Sequence, residues 1–165
     1  MTISANQIDE RMRRFEQACR SARIKLTHQR IEIFREVAKT TDHPDAETVF
    51  QRVRERIPTV SLDTVYRTLW LLSDLGLITP LGPLRERTRF DANLARHHHF
   101  VCVRCGLTAD FYSDLLDDLT LPEAVQALGQ AETTRVEVHG ICRACVERGP
   151  QPTHHPKTKQ SQRNS

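Results

Sequence analysis

Ser61-Leu62-Asp63-Thr64-Val65-Tyr66-Arg67-Thr68-Leu69-Trp70-Leu71-Leu72-Ser73-Asp74-Leu75-Gly76-Leu77-Ile78-Thr79-Pro80 is where this sequence changes its pattern. Ser61 is a good N-cap, and residues 62, 65, 69 and 72 make one apolar stripe at helical spacing. The helix runs to about Leu75, and Gly76 suits the residue just past its end. Beyond Gly76 the helical period stops. Leu77 to Pro80 is a short extended run, Leu81-Gly82-Pro83 is a turn, and Thr88-Arg89-Phe90-Asp91 is a second extended run.

Upstream lie three more helical stretches. Residues 5–22 place Ile8, Met12, Phe15, Ala18 and Cys19 along one side. Thr27 can cap a second helix carrying Ile31, Ile33, Phe34 and Val37. After the break Thr40-Thr41-Asp42-His43, Pro44 or Asp45 opens a third helix with Val49, Phe50, Val53 and Ile57, ended by Pro58. Helices followed by a small hairpin are the order of a winged helix-turn-helix. Thr64, Tyr66 and Arg67 then lie off the apolar stripe, near the N-terminal end of the last helix. A recognition helix meets base edges and phosphates there. Arg67 suits guanine or phosphate, and Tyr66 a thymine methyl. The same residues would also fit an ordinary surface helix.

Downstream, Asn93 to Arg96 read as a hinge and the second half as strand-rich. Phe100 to Val103 and Leu107 to Phe111 flank the turn Arg104-Cys105-Gly106. Residues 114–129 are helix-like but interrupted by Pro122. Residues 134–141 alternate apolar and polar, as a third strand would. From Gly149 onward there is no apolar period, so the tail reads as disordered. The expected organisation is α+β: a winged-helix DNA-binding domain over 1–91, a hinge over 92–96, an α/β dimerisation and metal-binding domain over 97–149, and a tail over 150–165.

Two CxxC pairs, Cys102/Cys105 and Cys142/Cys145, stand in that second half with 36 residues between them. Each turn lets two thiolates reach one ion, and two turns complete a closed tetrahedral site of the kind Zn²⁺ prefers. Such a site is structural, because it keeps no open position. Disulfides or a redox dithiol are the alternatives, but a redox motif needs only one pair. Cys19, among apolar residues at helical spacing, reads as core. A second cluster gathers ahead of the first pair. His97 and His99 share one face of an extended strand, with His98 on the other. Asp91, Asp110 and His43 offer further donors. Imidazole and carboxylate suit Fe²⁺, Mn²⁺ or Zn²⁺ rather than a sulfur site. Three adjacent histidines are also compatible with a solvated run.

Composition narrows the class. Apolar residues are 38% and charged residues 27%, and no apolar run approaches the ~18–20 residues of a membrane span. Met1 to Glu10 is polar and carries acids, unlike a signal peptide, so the expected compartment is the cytoplasm, where thiols stay reduced. The net charge of +3 is unevenly spread. Residues 1–90 hold 16 Lys/Arg against 12 Asp/Glu, whereas residues 91–150 hold 5 against 9. A basic front half suits a polyanionic partner.

Taken in order, Leu26-Thr27-His28-Gln29-Arg30, His43-Pro44-Asp45-Ala46-Glu47, Thr64-Val65-Tyr66-Arg67-Thr68-Leu69, Gly76-Leu77-Ile78, Arg89-Phe90-Asp91, His97-His98-His99-Phe100-Val101-Cys102, Cys105-Gly106, Gly140-Ile141-Cys142 and Cys145 resemble the ferric uptake regulator (Fur) family over roughly residues 20–146. The resemblance implies a homodimeric transcriptional repressor, not an enzyme, that binds a palindromic double-stranded DNA operator when a regulatory metal is present. It assigns Cys102, Cys105, Cys142 and Cys145 to structural Zn²⁺, and His43, Asp91, His97, His99 and Asp110 to regulatory Fe²⁺ or Mn²⁺. It also places Lys25 and Arg30 with Thr64, Tyr66 and Arg67 at the DNA. Asp91, where iron sensors usually carry glutamate, resembles the peroxide-sensing branch (PerR), in which oxidation of a ligand histidine, here His43 or His97, releases the DNA. Iron-sensing, zinc-sensing and nickel-sensing relatives are the alternatives within the family. Zinc sensors usually add a cysteine that this sequence does not offer. Thr134 stands where many relatives place a histidine of a further metal site. A mononuclear metalloenzyme using the same donors is the alternative outside the family, but the sequence shows no glycine-rich phosphate loop or nucleophile motif.

Overall fold

The computed structural model describes residues 3–82, 88–132 and 134–149. The expected turn residue Pro83 and the expected tail, 150–165, lie outside them.

Four helices come first: α1 (Ala5–Ser21), α2 (His28–Ala38), α3 (Ala46–Arg54) and α4 (Leu62–Asp74). Each start is set by a side chain that accepts an otherwise unpaired backbone N–H. Ser4 and Gln7 form a reciprocal capping box on α1. Thr27 Oγ1 accepts from Arg30 N (3.3 Å), Asp45 Oδ1 from Thr48 N (2.8 Å) and Ser61 Oγ from Thr64 N (3.1 Å). Helix α4 ends as its sequence requires. Gly76 takes a φ of +66°, Gly76 N donates to Ser73 O (2.9 Å) and Leu77 N to Leu72 O (3.0 Å). This closing turn needs a left-handed residue, which glycine adopts without steric cost.

The helices enclose one apolar core. Phe15, Ile33, Phe34, Val37, Val49, Val53, Val65, Leu69 and Leu72 are buried in it, and Phe15 stacks on Phe34 with ring centroids 4.8 Å apart. Cys19 is part of this core, as its spacing suggested. Two carboxylates are buried with it, Glu32 and Glu36 on successive turns of α2. Arg56, just past α3, answers both: its Nε donates to Glu32 Oε2 (2.7 Å) and its Nη2 reaches Glu36. Lys39 Nζ adds 2.7 Å to Glu36, and Arg35 pairs with Glu32. The cations leave neither acid as an unpaired buried charge, which would cost several kcal/mol.

A two-stranded antiparallel wing, β1 (Thr79–Leu81) with β2 (Arg89–Asp91), follows α4. Trp70 of α4 meets Phe90 of β2 edge-on at 5.9 Å, which fixes the wing against the last helix. This half is a winged helix-turn-helix.

The second half is a three-stranded sheet with strands β3 (His98–Cys102), β4 (Thr108–Phe111) and β5 (Glu137–Gly140), in the order β4-β3-β5. β4 runs antiparallel to β3 and β5 parallel to it. The helix-like stretch around Pro122 forms two single turns, α5 (Asp114–Asp117) and α6 (Glu123–Gln126), rather than one helix. Helix α7 (Arg143–Glu147) starts at Cys142. Strand β3 starts two residues earlier than the run Phe100 to Val103 and ends one sooner, β4 is one residue shorter than expected, and only 137–140 of 134–141 pairs with β3. The core of this half consists of Cys102, Cys142 and Cys145, with Phe100 packed against them. The Phe100 ring lies against Gly140, where a Cβ would come within 2.9 Å of its Cε2. No helix among the described residues is long and apolar enough to cross a membrane.

Candidate metal centres and nucleic-acid interface

Strand register builds the first centre. On antiparallel β3 and β4, His99 stands directly opposite Asp110, so their side chains share one face. His97 lies two residues ahead of His99 and returns to that face. Asp91 arrives from the end of β2. His43 comes from the connection between α2 and α3, whose backbone is tied to the wing. Phe90 N donates to Pro44 O (3.0 Å) and Arg89 Nη1 to His43 O (3.0 Å). His43 itself is left-handed, with φ +49°, a conformation few side chains other than Asn or Asp adopt readily.

The five donor atoms lie within 4.8 Å of one another. His97 Nε2 is 2.8 Å from Asp91 Oδ2 and 2.9 Å from His99 Nε2. His43 Nε2 is 2.7 Å from Asp110 Oδ1, yet the two lack hydrogen-bond alignment and both atoms remain buried without a partner. Buried polar atoms are rarely left so. Lone pairs that converge without bonding one another suit a cation between them, and two oxygens with three imidazoles suit Fe²⁺, Mn²⁺ or Zn²⁺. Two outer contacts prepare the donors. His97 Nδ1 faces Ala95 O at 2.6 Å, so Nδ1 carries the proton and Nε2 offers its lone pair when the ring is neutral. Asn93 N donates to Asp91 Oδ1 (2.7 Å), which commits that oxygen and leaves Oδ2 toward the histidines.

The electrostatics agree with a cation-seeking site. Burial opposes charge on Asp91, but hydrogen bonds from His97, His99 and the Asn93 amide outweigh it and hold the carboxyl well below the usual range. Burial likewise opposes charge on Asp110, and His43 outweighs it. The hydrogen bond to Asp91 raises the His97 pKa, against the effect of burial. A proton on His97 thus stabilises the metal-free protein at low pH, and that contribution is lost as pH rises through the raised pKa. An entering metal must displace this proton. Mn²⁺ affinity is therefore expected to fall up to about tenfold per pH unit below roughly pH 6.5 and to level off above the raised pKa. Titrating manganese at stepped pH checks this, and a flat profile from about pH 6 to 8 contradicts it.

The second centre is the four cysteines, whose sulfurs also lie within 4.8 Å of one another. Cys105 Sγ and Cys142 Sγ are 3.6 Å apart, near the ~3.8 Å edge of a tetrahedron with ~2.3 Å zinc–sulfur bonds. Backbone N–H groups of Cys142 and Cys105 draw the Cys102 thiol down to about 6. Contact with the Cys105 thiol, then burial, pushes Cys145 up to about 12. The Cys102 sulfur would therefore meet a soft dication most readily as thiolate, and Cys145 least.

Helix α4 presents the third feature. Val65, Leu69 and Leu72 of the expected stripe are buried, Leu62 is half-buried, and Thr68 joins the buried face. Tyr66 is exposed, and Arg67 stays largely free in solvent 3.7 Å from Asp63. Thr64 and Arg67 line a concavity of about 470 Å³ with Thr27, Gln29, Arg30, Thr68 and Leu71. Tyr66 lies outside it. Arg30 Nη1 donates to Lys25 O (2.6 Å), which ties the connection before α2 to this wall.

The structure thus assembles all nine candidate metal ligands into two groups. His98 stays out of both, buried on the opposite face with Nε2 3.3 Å from Asp117 Oδ1. The histidine run is buried, not solvated. Arg11 escaped sequence reading. Its Nη1 donates to Ala38 O (2.8 Å), and it lines a cleft of about 900 Å³ shared with Asp91, Asp110 and Tyr112. An arginine on an amphipathic helix gives no sign of the distant acids it will meet.

Comparison with known proteins agrees with this architecture. The model of the ferric uptake regulator family matches residues 21–146. The peroxide-responsive repressor PerR of Staphylococcus epidermidis is 29% identical over 151 residues, covering 90% of this chain and 99% of that protein. The ferric uptake regulator of Helicobacter pylori, 17% identical, shares the fold with a TM-score of 0.71 over 91% of this chain and 99% of its own. The ferric uptake regulator of Francisella tularensis, solved with iron, is 26% identical with a TM-score of 0.60 over 74% and 95% of the two chains. The chain belongs to the ferric uptake regulator family, whose members are metal-responsive transcriptional regulators rather than enzymes.

Proposed function

We propose that this protein is a homodimeric repressor that binds a palindromic DNA operator when Fe²⁺ or Mn²⁺ occupies the His43, Asp91, His97, His99 and Asp110 cluster, and that it senses peroxide there. One observation carries the reading. His43 belongs to the winged half, His97, His99 and Asp110 to the second half, and Asp91 to the junction, yet their donor atoms converge. Ligation by all five restrains the hinge at 92–96 and sets the spacing of two α4 helices. Those must stand about 34 Å apart to enter successive major grooves. The leverage equals the difference in metal affinity between the restrained and free arrangements.

Thr64, Tyr66 and Arg67 of α4 face the operator, and Lys25 and Arg30 flank them. Zn²⁺ on Cys102, Cys105, Cys142 and Cys145 staples the second half, a chemistry suited to a reducing compartment such as the cytoplasm. β5 is an edge strand with Val138 and Ile141 exposed, and Leu115 and Leu128 are more than 80% exposed. A second copy covering these apolar side chains fits a dimerisation role for residues 97–149.

Peroxide sensing rests on Asp91. Its Oδ1 accepts from Asn93 N, which leaves Oδ2 as the oxygen free to bind, and a metal held by one atom from each of the five residues would keep room for a small oxidant. The Arg11-lined cleft reaches Asp91 and Asp110 and gives a small oxidant its route. Ferrous iron held by these residues would lend one electron to cleave the peroxide O–O bond and regain it as the imidazole is oxidised, so that the two electrons peroxide takes up come, net, from the histidine ring. One peroxide oxygen ends on a carbon of His43 or His97, and the other leaves as water. An oxidised imidazole no longer offers the same donor, so the halves separate. Iron-loaded protein given modest peroxide is expected to gain one oxygen on a peptide carrying His43 or His97 and to release DNA. Manganese-loaded protein is expected to do neither. Peptide mass spectrometry beside a gel-shift assay decides it. Iron-loaded protein that stays bound and unmodified, but releases DNA on iron depletion, would instead be an iron sensor.

A further inference from the structure

The connection from α1 to α2 contains a strained residue that nothing in the fold explains. Helix α1 closes with the same turn as α4: Arg23 N donates to Arg20 O (3.1 Å) and Ile24 N to Cys19 O (2.8 Å). In α4 the left-handed position is Gly76, with φ +66°. In α1 it is Arg23, with φ +56°. A Cβ in that region crowds the following carbonyl, so arginine destabilises a turn that glycine would form freely. Local strain of this kind persists where something else requires the side chain.

Nothing within the described chain does. Arg23 is exposed, and among the described residues its guanidinium has no hydrogen bond or ion pair. Its surroundings are one-signed. From Gln17 to Ile31 the chain carries Arg20, Arg23, Lys25 and Arg30 and no carboxylate. Arg20 is answered by Glu16, at 3.6 Å. Arg30 holds the Lys25 carbonyl and lines the concavity that runs to Thr64 and Arg67. Thr27, in the same wall, caps the N-terminus of α2, which favours an anion.

We propose that Arg23 binds a phosphodiester of duplex DNA beside the recognition helix, so that the strained turn is kept for a contact made only in the complex. This rests on the regulator reading. It adds an arm ahead of α2 to the contacts of α4. A phosphate contact adds affinity without reading sequence, and it steepens the dependence on salt.

The test uses full-length protein loaded with zinc and manganese, and a duplex selected by the wild-type protein from a random-sequence pool. Arg23→Gly and Arg23→Asn both accept a left-handed backbone and remove the charge. Each is expected to raise the melting temperature, the glycine variant by about 2–4 °C. Each is expected to weaken binding about three- to tenfold at fixed salt and to reduce the salt slope by about one per subunit. Arg23→Lys keeps the charge and is expected to retain the slope. Arg67→Ala is expected to weaken binding with no rise in melting temperature. Higher stability with unchanged affinity and slope in Arg23→Gly and Arg23→Asn would overturn the assignment alone. Failure of the wild-type protein to select any duplex would overturn the regulator reading and this contact with it.

Discussion

Cys142→Ser is expected to lose about one zinc per chain and to unfold the second half while the first stays folded. Cys142 has three roles at once. Its sulfur is one of four in the cluster, its N–H donates to Cys102 Sγ (3.3 Å), and it starts α7. Among the described residues the apolar core around it holds two further cysteines, with Phe100 against them. So small a core cannot offset the chain entropy of some fifty residues, at roughly 1–2 kcal/mol each for the backbone. Zinc bound by four thiolates contributes on the order of 10 kcal/mol. The winged half has its own core from Phe15 to Phe90, so its helical signal persists. Metal analysis, size measurement and circular dichroism together check the outcome, which should be one zinc fewer, no dimer and retained helix. A dimeric Cys142→Ser protein with full zinc content would remove the structural role.

His43→Asn should leave that zinc in place and abolish manganese-dependent DNA binding. Asparagine tolerates the left-handed backbone at this position, so the loop keeps its path. What is lost is the imidazole, the one donor from the connection between α2 and α3. Altering groups that merely support a ligand costs about 10–100-fold in metal affinity, and removing a ligand is expected to exceed that. The protein retains its zinc, its dimer and its α4 surface, so residual binding should resemble that of metal-free wild-type protein. Metal titration and DNA-binding measurements with and without manganese separate the effects. Wild-type manganese affinity in this variant would place the regulatory ion elsewhere.

The sequence was most readable where structure is decided locally. Thr27, Asp45 and Ser61 mark helix starts because a cap acts within three residues, and Gly76 marks a stop because only its own φ matters. The CxxC pairs declare themselves because a turn brings two sulfurs together unaided. The histidine–aspartate cluster could be collected only as a set of donors. What joins it is the pairing of His99 with Asp110 and the anchoring of His43 to the wing, both set by tertiary contacts. The parallel pairing of β5 with β3 spans more than thirty residues and leaves no short-range trace. Buried Glu32 and Glu36 look like surface acids, because their partner Arg56 is twenty or more residues away. Burial of His98 was equally invisible, since alternation assigns it to a face without saying what covers that face.

The cysteine-built core also governs how the two halves can change over generations. Leu, Ile and Val in the winged half can exchange at modest cost while total volume is kept. Cys102, Cys142 and Cys145 have no such substitutes, because each supplies a sulfur as well as volume. Phe100 and Gly140 are matched, since a methyl at Gly140 would strike the ring. Freedom to vary therefore falls on opposite layers, with drift inside the winged half and drift on the periphery of the other. A lineage can repack its winged half gradually, but the cysteine-bearing half must keep a handful of interior positions fixed while nearly everything around them diverges.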